Sequence, residues 1–500
     1  MGFRDEIRVL FLAAEAAPFV KVGGLGDVAG ALPQYLRSLG MGSDQDGPID
    51  EKLDGLKIDI RLVIPFHRDI RAEEFNAKFL MEFDIISSEG SIEAEVFWTT
   101  INNLPVYLIS GPPISASEQV YSQDPAEDGF KYTFFSIASL KLVEELNWYP
   151  DIIHANDWHT SPAIYALSFN QNRKGDLKDT VALLGVHNLP YLGVGAGPSL
   201  SKFGLPPAME SDLPIWAQDV PLPLGLLTAD HIVTVSPTYA QEILTPEFGA
   251  GLDDFLKGRQ KSISGILNGI DIEHWDPDID EYISSSYQLT TLSKKNVNKI
   301  SLLDEAGFLI DKGRPLLAMV TRLDSQKGVD IALDAFHSLM DLHWNVIILG
   351  SGDPSLEQRA HSLEGEFPDR VRFVNLFDVP LSHRIYAGAD MLLIPSRYEP
   401  CGLTQMIAMR YGTVPIGRAT GGLLDTIIDY DQSSGGTGFI FDAAEPQSLE
   451  GAIRRAIRTF RDQRRWKGLQ RRGMRQKFSW AESARNYLKL YLQLVDMKTR

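Results

Sequence analysis

Three stretches of this 500-residue chain gather side chains that could act on a charged, hydroxyl-rich ligand. The first is Lys21-Val22-Gly23-Gly24-Leu25-Gly26-Asp27-Val28, directly after an apolar run from Arg8 to Ala14. Glycines let the backbone approach a ligand, and a helix start beyond them offers free N–H groups to an anion. Lys21 and Asp27 add a cation and a carboxylate at the same place; alone, the stretch is equally an ordinary βα turn. The second is Val320 to Gly328, where Arg322 and Lys327 put two cations on one short loop. Loop cations are usually just solvated. After a strand, and opposite a glycine-rich turn, this pair suits a diphosphate: Arg grips oxygens in a fork, and Lys supplies a point charge. Such groups stabilise the charge that grows on a leaving diphosphate. The third is Pro395 to Gln405, in which Pro400 fixes Glu399 and a small-residue turn opens a helix. Glu399 could accept hydrogen bonds from sugar hydroxyls, and the turn could receive phosphate on its N–H groups. Cys401 has no histidine near it in sequence and reads as a small packed residue rather than a nucleophile.

Two histidine stretches also end strands. In His154-Ala155-Asn156-Asp157-Trp158-His159 the second histidine follows the first by five residues, beyond a tryptophan and with no Cys or Glu in support. That spacing is poor for a metal. A polar cup for hydroxyls, with Trp158 packed on a sugar face, fits better. In Gly185-Val186-His187-Asn188 a structural histidine is the bland reading. The place of His187 beyond a strand, beside Asn188, favours a substrate contact.

These residues need a scaffold that brings strand ends together. Short apolar runs at Ile58–Pro65, Val106–Ile109, Asp151–Ala155, Val181–His187 and His231–Ser236 alternate with helix-like segments such as Ala29–Leu39 and Tyr132–Leu146. Alternation of this kind predicts a parallel sheet covered on both faces, with ligands at the carboxyl ends of its strands. Residues 41–57 read as a surface loop, and Asp276 to Ser293 as a linker or excursion. The alternation then restarts, with strands at Pro315–Val320, Asn345–Gly350, Val371–Val374, Met391–Ile394 and Val414–Ile416 and a helix at Ile331–Leu342. A second doubly wound domain follows, the boundary lying near 262–275, and Ser483 to Val495 is a final helix that could dock back on the first domain.

Hydrophobic content of 44% and charged content of 23% are those of a globular chain of two to four domains. A formal net charge of -18 disfavours nucleic acid or an anionic membrane as a general partner. One cysteine permits no internal disulfide. The N-terminal apolar run is short, is interrupted by Glu15 and reads as a buried strand, not a signal peptide. A reducing, cytoplasmic compartment is expected.

Lys-Val-Gly-Gly-Leu-Gly-Asp-Val, Asp-Trp-His, Val-His-Asn, Leu-Asn-Gly-Ile-Asp, Arg-Leu-x-x-Gln-Lys-Gly, Gly-x-Gly-Asp-Pro, Glu-Pro-Cys-Gly-Leu-Thr-Gln and Thr-Gly-Gly-Leu follow in that order between Lys21 and Leu423, within a resemblance that extends from about Val9 to Trp480. This resembles the bacterial glycogen synthase and plant starch synthase family. The resemblance implies an α/β fold of two Rossmann-like domains facing across a cleft (GT-B). Residues 1–263 would be the acceptor side and 264–482 the donor side, with 483–500 a helix packed back on the first domain. It implies transfer of glucose from ADP-glucose to the non-reducing end of an α-1,4-glucan with retention, with no cofactor and no metal required. Lys21, Gly23 and Gly24 would lie against the diphosphate and glucose, with Asp27 nearby. Asp157, Asn188 and Asn268 would contact sugar, and His187 the reacting glucose. Arg322 and Lys327 would hold the diphosphate, and Glu399 the donor glucose. Cys401, Gly402 and Leu403 would form the loop that receives its hydroxyls, Leu403 and Thr404 would face ribose and phosphate, and Phe377 would stack on the base.

The chain departs from the family at Tyr191-Leu192-Gly193, where Tyr-Gln-Gly is common, and at Leu376-Phe377, where Gly-Tyr is usual. Ile407 stands where many other retaining GT-B enzymes carry a second Glu. The competing readings are another retaining transferase of the same fold, a glucan phosphorylase, which needs a longer chain and a pyridoxal lysine, and a non-catalytic glucan-binding protein, which could dispense with Lys21, Arg322, Lys327 or Glu399.

Overall fold

The computed structural model describes residues 5–40, 56–171 and 176–498. It forms two compact units: Met1–Val235 with Ala240–Gly269 and Trp480–Arg500, and Ser236–Tyr239 with Ile270–Ser479. The surface loop expected over 41–57 falls almost wholly outside the described residues.

The first unit is built on a sheet of nine described strands. They are β1 (Glu6–Leu12), β2 (Lys57–Pro65), β3 (Lys78–Ser87), β4 (Gly90–Ile101), β5 (Leu104–Ser110), β6 (Ile152–Asn156), β7 (Val181–Val186), β8 (His231–Thr234) and β9 (Ile263–Gly265). Their order is β3-β4-β5-β2-β1-β6-β7-β8-β9. From β5 through β2, β1, β6, β7 and β8 to β9 every pairing is parallel. The central strands β6 and β7 are buried at every position, because helices cover both faces. The antiparallel β3–β4 hairpin at this edge was not expected from the sequence, whereas β5 was, at Val106–Ile109, though not its antiparallel pairing with β4. β3 and β4 carry Glu82, Asp84, Glu93 and Glu95 among apolar residues, so no apolar run marks those two strands.

The second unit holds β10 (Leu316–Val320), β11 (Asn345–Leu349), β12 (Val371–Val374), β13 (Met391–Ile394), β14 (Val414–Arg418) and β15 (Phe439–Phe441). All pair in parallel in the order β12-β11-β10-β13-β14-β15. The chain is therefore α/β, with two doubly wound sheets, the second parallel throughout and the first parallel apart from its β3–β4–β5 edge, as the alternation of runs implies for all but that edge.

Helix ends shifted from the sequence reading for local reasons. The helix expected from Ala29 starts at Gly24, inside the glycine stretch. Gly30 in that helix is required, since a Cβ there would lie 2.4 Å from the Ala17 carbonyl oxygen. The helix expected over Tyr132–Leu146 runs Pro125–Glu145, capped by the Asp124 carboxylate on the Ala126 amide and opened by a proline. The stretch Asp276–Ser293 is not a loose linker. Tyr287 is buried and donates to the Tyr411 carbonyl at 2.8 Å, and buried Asp280 accepts from the Tyr411 hydroxyl at 2.5 Å and meets His383 at 2.8 Å.

The C-terminal helix Trp480–Lys498 belongs to the first unit. The Tyr491 hydroxyl meets His154 Nδ1 at 2.8 Å, Ser483 donates to the Leu267 carbonyl at 2.6 Å, and Lys498 pairs with Asp230. Among the described residues no helix is long and apolar enough to cross a membrane.

Candidate functional site

In the first unit, candidate residues collect at the carboxyl ends of β1, β6 and β7. Beyond β1 the chain turns at Glu15, which is 1% exposed. Its carboxylate accepts from the amides of Val22 and Gly23, the latter at 3.1 Å, and so folds the glycine stretch back over the strand end. Lys21 Nζ pairs with Asp27 Oδ1 at 2.7 Å at the partly exposed mouth of that turn. The helix Gly24–Leu39 begins there with no side chain capping its first amides. The glycines differ in what they serve. A Cβ at Gly26 would press on Lys21 and Glu15, whereas one at Gly24 would meet nothing within 4 Å. The protein itself makes no use of the space in front of Gly24, beside uncapped amides that favour an anion.

Asp157 follows β6 at φ +55°, a left-handed conformation that aspartate tolerates. The twist aims its carboxylate at the loop after β7, where Oδ1 accepts from the amides of His187 at 2.7 Å and Asn188 at 3.4 Å. Burial pushes the Asp157 carboxyl above its ordinary range, opposed by His187 and these amide bonds. Asn156 Nδ2 donates to the Leu12 carbonyl at 2.9 Å, which turns Oδ1 toward His187 Nε2 at 2.8 Å. The His187 proton therefore sits on Nε2, leaving Nδ1 as an acceptor. Burial holds this ring below the usual histidine range, with Asp157 pulling the other way. Asn188 Oδ1 and Asn268 Oδ1 are buried and accept no hydrogen bond, which leaves each able to take a hydroxyl donor.

Trp158 does not offer an open face for a sugar. It is 9% exposed, lies against His159 with centroids 4.3 Å apart, and would clash with any Cβ at Gly193. Its apolar surface is spent on the core. His159 is itself buried among Tyr121, Tyr132 and Trp158, and desolvation holds it well below its ordinary pKa. Among the described residues no group of three His, Cys, Asp or Glu side chains is placed to hold a metal ion.

In the second unit the two motif loops after β10 and β13 meet directly. Lys327 Nζ lies 2.9 and 2.7 Å from the two carboxylate oxygens of Glu399, and the Ser396 hydroxyl donates to the same carboxylate at 2.8 Å. Asp324 holds the Lys327 amide at 2.9 Å. Gly328, at φ +64°, lets this loop touch the Pro395 carbonyl, where a Cβ would stand 2.0 Å away. Arg322, its side chain 65% exposed, is 3.4 Å from Asp324 and lines a groove with Ser351, Gly352 and Asp353.

The turn after Glu399 is closed by backbone contact with the glycines after β14. The Gly422 amide donates to Glu399 and Pro400 carbonyls, and a Cβ at Gly422 would stand 2.0 Å from the Cys401 carbonyl oxygen. Cys401 is buried, and Gln405 holds the carbonyls of Cys401 and Gly402 at 3.0 and 2.9 Å. Leu403 and Thr404 form the start of the helix Thr404–Arg410, with no side-chain cap. Phe377 is 86% exposed, with its ring in solvent.

The structure thus joins Lys21 with Asp27, Asp157 with His187 and Asn188, and Lys327 with Glu399. Asn268 is buried in the first unit and Phe377 is exposed on the second. Sequence reading missed Glu15, Asn156 and Tyr121, whose ring lies 4.8 Å from that of His159 and whose hydroxyl bonds to Glu15. Glu15 had a visible signal, a lone charge inside an apolar run.

The chain is similar to known proteins along its length. The starch synthase catalytic domain family matches residues 8–44 and 49–258, and the glycosyl transferases group 1 family matches 303–470. A glycogen synthase of Syntrophotalea carbinolica is 36% identical over 98% of this chain and 99% of its own length. One from Anaeromyxobacter dehalogenans strain 2CP-C is 38% identical over 98% of this chain and 100% of its own. The solved catalytic domain of starch synthase IV from Arabidopsis thaliana, bound to ADP and acarbose, superposes with a TM-score of 0.85 at 31% identity, covering 98% of this chain and 100% of that one. A sucrose-phosphate synthase from Thermosynechococcus elongatus, at 16% identity and a TM-score of 0.61, shares the fold.

Proposed function

Because the chain belongs to the glycogen synthase and starch synthase family of glucosyltransferases, we propose that it moves glucose from ADP-glucose to the 4-hydroxyl at the non-reducing end of an α-1,4-glucan, with retention. The observation that carries this reading is the Lys327–Glu399 pair, a cation and a sugar-binding carboxylate brought together at adjacent strand ends.

Arg322 and Lys327 hold the donor diphosphate. The bond from glucose C1 to the phosphate oxygen breaks, and the two cations stabilise the charge left on the diphosphate. The acceptor oxygen bonds to C1 from the face the diphosphate leaves, and its proton passes to the departing phosphate oxygen. Glu399 accepts from hydroxyls of the donor glucose while Ser396 and Lys327 fix its orientation. Neutral His187, with Nδ1 free to accept, and the open amide oxygens of Asn188 and Asn268 take further sugar hydroxyls. Gly24 leaves room for the donor in front of uncapped helix amides. Phe377 stacks on the base.

Arg322 and Lys327 would supply the positive charge that a divalent metal could otherwise give the diphosphate, so no metal or cofactor requirement is expected. Full activity in excess EDTA is expected; a requirement for added metal would contradict this. The single cysteine and a nucleotide-sugar donor fit a cytoplasmic enzyme. Retention is tested by proton NMR of a maltooligosaccharide elongated by the purified chain. New α-linked anomeric signals are expected, and β-linked ones would overturn the stereochemical claim.

A further inference from the structure

The chain carries a second cavity, lined by three arginines, that the transfer reaction does not use. Residues 461–477 contain eight Lys and Arg and one acid, in a chain whose net charge is -18. The helix Gln463–Met474 buries Trp466, Leu469, Gln470 and Gly473. That burial turns Arg464, Arg465, Gly468 and Arg472, at helical spacing, toward a surface cavity of about 730 Å3. The far wall is the loop Tyr430–Ser434, with two serines and a glutamine.

Both acids in the cavity wall are already engaged. Asp431 pairs with Arg455 at 2.7 Å, and Asp462 pairs with Arg465 at 3.2 Å. Asp462 also accepts the amides of Arg464 and Arg465, so the helix start is capped and the cavity's charge comes from guanidinium groups. Arg472 is fixed by its Nε bond to the Gly436 carbonyl at 2.7 Å. Its Nη1 lies 3.3 Å from where a Cβ of Gly468 would be, so the fork lies over the bare helix surface. Arg464 is exposed and has no ion-pair partner among the described residues. A pre-oriented fork, a second free guanidinium and neighbouring serine hydroxyls match a phosphate group. The volume accommodates a small ligand attached to it.

We propose that this cavity is an anion site for a phosphomonoester, separate from the donor site around Lys327 and Glu399. The ligand is either inorganic phosphate or a phosphorylated hexose, and the serine and glutamine wall is suited to the hydroxyls of the latter.

Calorimetric titration of the full chain with inorganic phosphate, and separately with a hexose monophosphate, tests this. Both probes are expected to bind, the hexose ester more tightly because its hydroxyls meet the serine and glutamine loop; equal or weaker binding of the ester would leave inorganic phosphate as the ligand and overturn the hexose assignment. Arg464→Gln and the double variant R464Q/R472Q are expected to lose about tenfold or more in affinity for these probes. Their melting temperature and glucosyl transfer should stay near wild type, and Lys327→Ala should bind the probes as wild type does. No binding to the wild-type chain at millimolar probe would overturn the site. So would full binding by R464Q/R472Q, or loss of binding in Lys327→Ala alone. Because the readout is binding, failure here is distinguishable from failure of the transferase reading.

Discussion

Replacing Lys327 with Ala should separate what the Lys327–Glu399 pair does for catalysis from what it does for folding. In the resting chain the ammonium sits 2.7 and 2.9 Å from both carboxylate oxygens. The lysine side chain is 21% exposed and that of Glu399 8%, so the pair lies between a screened surface bridge and a buried one. Its loss should cost about 1–3 kcal/mol of stability, because Glu399 keeps the Ser396 hydroxyl but loses its counter-charge. In a domain of this size that lowers the unfolding midpoint by about 2–4 °C per kcal/mol. The effect on turnover should be larger. Removing a preorganised donor aimed at growing charge lowers kcat by about 10²–10³-fold. Glu399→Gln keeps the shape and removes the charge, so it should raise KM for the donor with a smaller stability change. The assay is steady-state release of nucleoside diphosphate with glycogen as acceptor, alongside scanning calorimetry. Wild-type kcat in a folded Lys327→Ala protein would refute the role given to this lysine.

Other perturbations discriminate equally well. Gly24→Ala should fold normally, since its Cβ meets nothing within 4 Å, yet raise KM for the donor; Gly30→Ala should destabilise the first unit, its Cβ falling 2.4 Å from the Ala17 oxygen. Equal melting temperatures for the two variants would contradict this division. Glu15→Ala frees the amides of Val22 and Gly23 and should lower kcat/KM for the donor by about tenfold through a loosened turn, an unchanged value counting against it. The first unit should also weaken in acid. Burial lowers His67 to about 4 and His154 to about 3, against about 6.5 in an unfolded chain. The unfolded chain therefore binds these protons first, and stability falls as pH drops from 6.5 through 4, by on the order of 3 kcal/mol for His67. Denaturant unfolding at pH 7 and pH 5 checks the sign, and His67→Gln should flatten the slope.

Strands buried on both faces were legible because their sequences are unbroken apolar runs, as in Leu316–Val320 and Asn345–Leu349. The β3–β4 edge was not, since Glu82, Asp84, Glu93 and Glu95 alternate with its apolar positions. The three-residue strands β9 and β15 are too short to show a period. In the site, Lys327 and Glu399 were identifiable by type and by place after strands. Their mutual bond was not, because 72 residues separate them and only the β10–β13 pairing brings their loops together. Trp158 misled for a related reason: its sequence position fits a sugar platform, but Gly193 and His159 close over the ring. Glu15 was visible only as an interruption of an apolar run, and its purpose emerges once the glycine turn folds back onto it.

Assignment as an α-glucan synthase rests most directly on one measurement: nucleoside diphosphate release by the purified chain from ADP-glucose and from UDP-glucose, each with and without glycogen. The expected result is release that depends on glycogen, is faster with ADP-glucose, and is matched by glucose incorporated into the glucan. Glycogen-independent release, or none from either donor, would contradict it.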